Sequence, residues 1–420
     1  MPPITKLIKR LRSLEKWEKV LYITFAAQLI NVVGFSSIFP FLPLYVDSLG
    51  SRFDLSIEFL SGLVFSSQAF TMMIAAPIWG ALADRYGRKL MMVRAMFGGA
   101  VLVFWMGYVS SAEMLIFVRA LQGLVTGTIS AANALIAATV PRDKLGYGLG
   151  LNQVALWGGV SFGPLIGGLI ADASGYRATF ILTAVLLVLG GILTIVGVEE
   201  NFEPTTDDTG NKPSILEDWK HILAAPGVKM AYLVRFLMTL GRTILVPIAP
   251  LFIIQLLPGN APINFYTGLV IATSGAASTI TAVWLGKIGD KIGHRRVLLL
   301  SSLWMTIFYL PQGLVTAAWQ LLVLQLLTGA GLGGLITAVT SLLAQYTRPG
   351  EEGSVFGFDS ALVSGGRVLA PLLGAGVAYW VSLRAALSLT GVLFLVIFFI
   401  VMYLIPQPKK EGVISYETPA

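Results

Sequence analysis

Stretches of about 20 residues with almost no charge recur along this 420-residue chain, each long enough to cross a hydrocarbon layer about 30 Å thick. In lipid such a run is stable as a helix, because every backbone N–H and C=O then finds its partner within the segment. Hydropathy read with helix-breaking punctuation gives twelve spans, near 19–46, 59–83, 91–110, 112–139, 146–171, 175–198, 228–257, 265–286, 296–316, 318–346, 353–380 and 383–405. The fold class expected is therefore an all-α membrane protein. Composition agrees: 55% of residues are hydrophobic and 12% charged, with a mean hydropathy of +0.79, whereas soluble domains carry about 25% charged residues. A soluble enzyme, a nucleic-acid binder and a disordered scaffold all fit this poorly. There is no cysteine and only two histidines, His221 and His294, so disulfides and thiolate sites are excluded and no metal or cofactor is expected.

The net charge of +7 is explained by topology. Lys6, Lys9, Arg10, Arg12, Lys16 and Lys19 precede span 1, and Arg85, Arg88, Lys89 and Arg94 follow span 2. The opposite side carries Arg52, Arg177 and Arg384. The positive-inside rule then places both termini in the cytoplasm of a multi-pass protein of the plasma (inner) membrane. Five segments are expected: a basic amphipathic tail (1–18), a six-helix bundle (19–198), a cytoplasmic linker with a short interfacial helix opened by Ser214 and Glu217 (199–227), a second six-helix bundle (228–405) and a cytoplasmic tail (406–420).

The two bundles repeat one another at a spacing of 206–207 residues. Pro40 and Pro43 recur as Pro247 and Pro250; Gly80, Asp84 and Gly87 recur as Gly286, Asp290 and Gly293. Gly123 matches Gly329, and Gly150, Gly158, Gly159, Pro164 and Gly167 match Gly357, Gly365, Gly366, Pro371 and Gly374. Six spans per half is an even number, so both halves enter from one side. Parallel repeats of this kind hold substrate near the bilayer midplane and work by rocking one half against the other.

The residues also carry a family resemblance. Gly80-Ala-Leu-Ala-Asp84-Arg85-Tyr-Gly87-Arg88-Lys89 resembles the signature loop between spans 2 and 3 of the major facilitator superfamily, with a weaker echo containing Asp290 and Arg295 between spans 8 and 9. Gly150, Gly158, Gly159, Gly163, Pro164, Gly167 and Gly168 in span 5 resemble the antiporter motif of its twelve-helix drug:proton exporters. Arg119-Ala-Leu-Gln122-Gly123 resembles their span 4 arginine motif. The resemblance implies two pseudo-symmetric six-helix halves, proton-coupled multidrug efflux by alternating access, and a gating role for the 80–89 loop. There, Asp84 is expected to be neutralised by a guanidinium or a helix N-terminus in one state and released in the other. Independently of the family, Gly159, Gly163 and Gly167 repeat every four residues and bare one helix face to a close neighbour.

Arg119, Arg242, Arg367 and Asp359 lie well inside spans, where an unpaired charge costs at least about 2.5–3.5 kcal/mol. Asp359 is the first candidate for proton coupling, because burial raises a carboxyl pKa while a nearby arginine lowers it; Asp84 and Arg119 follow. Gln28, Asn31, Gln68, Gln122, Asn152, Gln153, Trp157, Arg242, Gln325 and Arg367 are the candidate cavity residues. Three arginines against one aspartate favour neutral or anionic amphiphiles over permanent cations. The partners expected are a small-molecule substrate, protons and the bilayer, and the working unit a monomer. The alternative on the same fold is an importer or exchanger of a specific small metabolite. No nucleophile–base pair or His/carboxylate cluster suggests an enzyme.

Overall fold

In the computed structural model the chain is almost wholly helical. The structure describes residues 15–141, 144–200, 227–257, 259, 261–346 and 352–406, with the side chains of 81, 84, 344–346 and 352–357 outside that description. Most of the basic tail and of the linker, including both expected interfacial helices, lie outside the described residues.

Among the described residues, eleven helical segments are long and apolar enough to cross a membrane. One of them, Leu145–Gly197, has 53 residues, about 80 Å at 1.5 Å per residue and far more than one crossing needs. Its backbone turns at Gly175 (φ 82°, ψ 168°), a conformation only glycine adopts at no cost, so it supplies spans 5 (145–174) and 6 (176–197). Twelve crossings result. Span 1 is Lys16–Ser37 with Leu42–Leu49, span 2 Ile57–Tyr86, span 3 Arg88–Met106, and span 4 Ala112–Val125 with Thr128–Thr139. Spans 7 to 12 are Val228–Leu256, Ile263–Ile292, His294–Tyr309 with a 3-10 turn Leu310–Leu314, Ala318–Tyr346, Glu352–Trp380 and Leu383–Leu404. Both chain ends of this bundle fall on one side, called here the terminus face; the other is the far face.

Local chemistry sets the boundaries. Ser56, Ser111 and Ser382 accept the first free N–H groups of spans 2, 4 and 12 at 3.3, 3.3 and 3.0 Å. Gly87 and Gly293, both at φ 96°, turn the chain between spans 2 and 3 and between spans 8 and 9. Pro40 interrupts span 1 after Ser37, whereas Pro247 and Pro250, its counterparts with Pro43, sit inside a continuous span 7.

The sequence repeat is a structural repeat. Arg177 Nε donates to Gly107 O at 3.0 Å, and Arg384 Nη1 donates to Gly313 O at 2.9 Å. At the terminus face Lys89 Nζ binds Val198 O at 2.6 Å and Ile195 O at 2.8 Å, while Arg295 binds Ile405 O at 2.6 Å and Met402 O at 2.8 Å. All four cations satisfy carbonyls left free where a helix ends, at the negative end of its dipole. Separate buried clusters, Phe41, Tyr45 and Phe180 in one half and Val234, Leu298 and Leu335 in the other, form the cores.

Among the described residues, the close contacts between the halves lie toward the far face. A Cβ on Gly62 of span 2 would lie 2.9 Å from Pro371 O of span 11, and Gly268 of span 8 presses in the same way on Pro164 O of span 5. Ser66 Oγ donates to Val368 O at 2.6 Å across the first seam. Nearer the terminus face Gly80, Gly146, Gly150 and Gly365 have no atom within 4 Å of a Cβ, and Gly286 meets only Thr337 of its own half.

Candidate transport site

Spans 7 and 11 both run from the terminus face to the far face, and their charges form two levels. At the lower level Arg235 Nη2 donates to Asp359 Oδ2 at 3.1 Å, and Nε lies 3.0 Å from Oδ1, an ion-pair contact outside hydrogen-bonding angles. Asp359 is the one buried carboxylate among the described residues. Two helical turns higher, about 10–12 Å, stand Arg242 on span 7 and Arg367 on span 11. Arg242 lies 5.4 Å from the ring centroid of Trp157, which reaches it from span 5 of the other half. Arg367 is exposed. Gln153, one turn below Trp157 on the same face of span 5, is also exposed. Arg242 and Arg367 thus stand two turns above the Arg235–Asp359 pair, and Trp157 joins Arg242 from the other half.

Arg235 was absent from the buried charges read in the sequence, and it supplies the partner Asp359 lacks there. Its signal in the sequence is its position, seven residues inside span 7.

The other half holds a different polar cluster. Arg119 is 1% exposed and donates from Nη1 to Gln122 Oε1 at 2.7 Å and from Nη2 to Gln68 Oε1 at 3.2 Å, with Phe65 5.7 Å from its guanidinium. No described acid pairs with it. Gln28, Asn31, Gln122 and Asn152 are buried within this half. Asn31 Nδ2 donates to Thr128 Oγ1 and Asn152 Nδ2 to Asn133 Oδ1, each at 2.7 Å. Gln325, the repeat counterpart of Arg119, is likewise internal, donating to Gln312 Oε1 at 3.0 Å. Arg119→Lys keeps the charge but loses the planar fork that reaches both glutamines, so we expect transport to fall about tenfold with normal folding, read as uptake per correctly folded protein.

The span 5 motif serves two neighbours. Gly159, Gly163 and Gly167 pack on Val32, Ser36 and Ser37 of span 1, the close approach their spacing predicted, with Ser36 Oγ donating to Gly159 O at 2.8 Å. Pro164 and Gly168 face span 8 of the opposite half. Gly158 meets only Leu29, and Gly150 meets nothing.

In the 80–89 loop Arg85 is exposed beside Tyr86, and the side chain of Asp84 is outside the described residues. The backbone N–H groups of Arg88 and Lys89 bind the carboxylate of Glu200 at 2.9 and 2.8 Å, an anion at a helix N-terminus that sequence reasoning did not find. In the echo loop His294 Nε2 lies 3.3 Å from Asp290 Oδ1. Glu200, Lys89 and Arg295 bind within their own halves, so in this state each loop is fastened to its own bundle.

A family model described as Major Facilitator Superfamily matches the chain twice, over residues 24–257 and 231–420. The chain belongs to the major facilitator superfamily. Among relatives of this major facilitator protein, the multidrug resistance protein MdtG of Enterobacter lignolyticus is 35% identical over 382 residues, covering 90% of each chain. MdtG of Salmonella arizonae is 33% identical over 378 residues, covering 89% of this chain and 92% of its own. Among solved structures a D-xylose–proton symporter superposes with a TM-score of 0.77 at 14% identity, covering 95% of this chain and all of its own; that likeness carries the fold alone. Membership makes the protein a membrane-embedded transporter of small molecules and not an enzyme.

Proposed function

We propose that this protein is a proton-coupled exporter of small amphiphilic compounds, a multidrug-type antiporter working by alternating access. The observation that carries the proposal is the Arg235–Asp359 pair between spans 7 and 11. Deprotonated, Asp359 neutralises Arg235; protonated, it releases it, so one proton changes both the local charge and the tie between spans 7 and 11. A group that must gain and lose a proton during the cycle needs these two comparable states. The names of the MdtG relatives support the multidrug reading, and the Trp157 ring beside Arg242 offers an apolar surface for such a substrate.

With the positive-inside rule placing both termini in the cytoplasm of the inner membrane, the described state faces inward, with its far face shut. The protein acts as a monomer, since both halves of the site lie on one chain. The test is transport by reconstituted protein in inside-out vesicles, where export appears as accumulation. Accumulation of an amphiphile that rises with an acid interior supports the reading; accumulation indifferent to the gradient sinks it.

Arg235, Arg242 and Arg367 around one aspartate disfavour cations. Among probes sharing one aromatic body, we expect the neutral ester and the carboxylate to be carried at least about tenfold better than the quaternary ammonium form, about 1.4 kcal/mol of electrostatic discrimination. Competition assays with matched probes read this directly, and a preferred quaternary ammonium would overturn it.

A further inference from the structure

The two seams that close the far face are built from equivalent spans, yet their polar chemistry differs. Span 2 begins with its own cap, Ser56, whose Oγ accepts Phe59 N–H at 3.3 Å. Span 8, its repeat counterpart, begins after Pro262, which has no side chain to offer its first N–H groups. Those groups are satisfied from the opposite half. Asp172, near the far end of span 5, accepts from Phe265 N at 2.8 Å through Oδ2. Through Oδ1 it accepts from Asn264 Nδ2 at 2.6 Å and Asn264 N at 3.3 Å. Beside this contact, Gly168 lies against Asn264 O and Gly268 against Pro164 O, so spans 5 and 8 cross almost backbone to backbone.

At the other seam the repeat puts Tyr379 in the place of Asp172 and Glu58 in the place of Asn264, and Tyr379 is 62% exposed. The charged tie therefore exists at one seam.

We infer that Asp172 is the latch of the far face: a carboxylate of one half that caps a helix of the other, made when that face is shut and broken each time it opens. A cap supplied by a helix's own residues is present in every conformation and cannot bias the equilibrium between them. A cap supplied across a moving seam is differential, and only differential interactions shift populations. The anion sits at the positive end of the span 8 dipole, and hydrogen bonds to a charged acceptor are the strong kind, so the latch favours the inward-facing state. On opening, the N–H groups of Asn264 and Phe265 and the carboxylate turn to water. The inference rests on the alternating-access reading but not on the identity of the substrate or the coupling ion.

The chain has no cysteine, so reporters can be placed without background. Spin labels at Phe53→Cys and Thr316→Cys report the far face, and labels at Tyr147→Cys and Lys291→Cys the terminus face; all four residues are exposed. Distances are measured in substrate-free protein in nanodiscs at one pH without a gradient, so a failed proton or substrate assignment does not touch the outcome. With Asp172→Ala the ratio of far-open to far-closed molecules is expected to rise about tenfold or more, the effect of losing one charge-assisted hydrogen bond. The terminus-face distances should shorten in step. Asp172→Asn, which keeps the shape and one neutral acceptor, should shift both pairs in the same direction by less. Ser56→Ala should leave both distributions unchanged. Unchanged distances in Asp172→Ala, or a far face that loosens while the terminus face stays put, overturn the latch. So does an equal shift in Ser56→Ala.

Discussion

Asp359→Asn should reduce gradient-driven transport to the level seen without a gradient, a loss of at least about tenfold, while exchange of labelled for unlabelled substrate survives. The amide is close to isosteric and keeps an acceptor for Arg235 Nη2, so the site keeps its shape and loses its titration. Exchange requires only that the loaded carrier reorient; net export requires the proton to return it. Removing the partner tests the same pair from the other side. With Arg235→Gln the carboxylate loses its ion-pair partner at 3.0–3.1 Å, and net transport driven by a gradient should fall while exchange survives. An Asp359→Asn protein that still concentrates substrate against a gradient would remove this residue from coupling.

Gly167→Val and Gly168→Val should fail in opposite ways although the residues are neighbours. A Cβ at Gly167 would strike the backbone of Ser37 within its own half, a contact present in every state of the cycle. Overpacking of that kind costs about 1–3 kcal/mol, so the expected result is a lower melting temperature and less folded protein. A Cβ at Gly168 would strike the backbone of Asn264 in the opposite half, a contact present only while the far face is shut. That protein should melt near the wild-type temperature yet occupy the far-open state, with transport reduced about tenfold or more. Melting curves and the far-face label pair separate the two. Equal losses of stability in both variants would show that the halves do not move apart at this seam.

Much of this architecture was legible in the sequence because bilayers leave little choice. Uncharged runs of fixed length forced the spans, and the colinear glycines and prolines identified the two halves before any contact was known. The contacts of Gly62 with Pro371 and Gly268 with Pro164 then show why Pro164 recurs as Pro371: they are the same close crossing built twice. The break between spans 5 and 6 was legible at Gly175. The different fates of Pro40 and Pro247 were not, since a proline in a long helix either bends it or ends it according to neighbours in space.

The site was read less well. Counting polar residues in spans cannot tell which side of a helix packs inward, and Gln28, Asn31 and Asn152 are buried within their half. Arg235 lies only seven residues inside span 7, where sequence alone does not separate a buried charge from one at the span's end. Asp172 and Glu200 act on backbone N–H groups of distant helices, contacts that exist only after the bundle has assembled.

The most direct measurement follows proton and substrate together in vesicles containing the wild-type protein, with a pH-sensitive dye sealed inside and a fluorescent amphiphile outside. With an acid interior and inside-out orientation, adding the amphiphile should make the lumen more alkaline as the compound accumulates, the two signals sharing one time course and both vanishing in Asp359→Asn. Accumulation with no change in lumenal pH would contradict proton-coupled export by this protein.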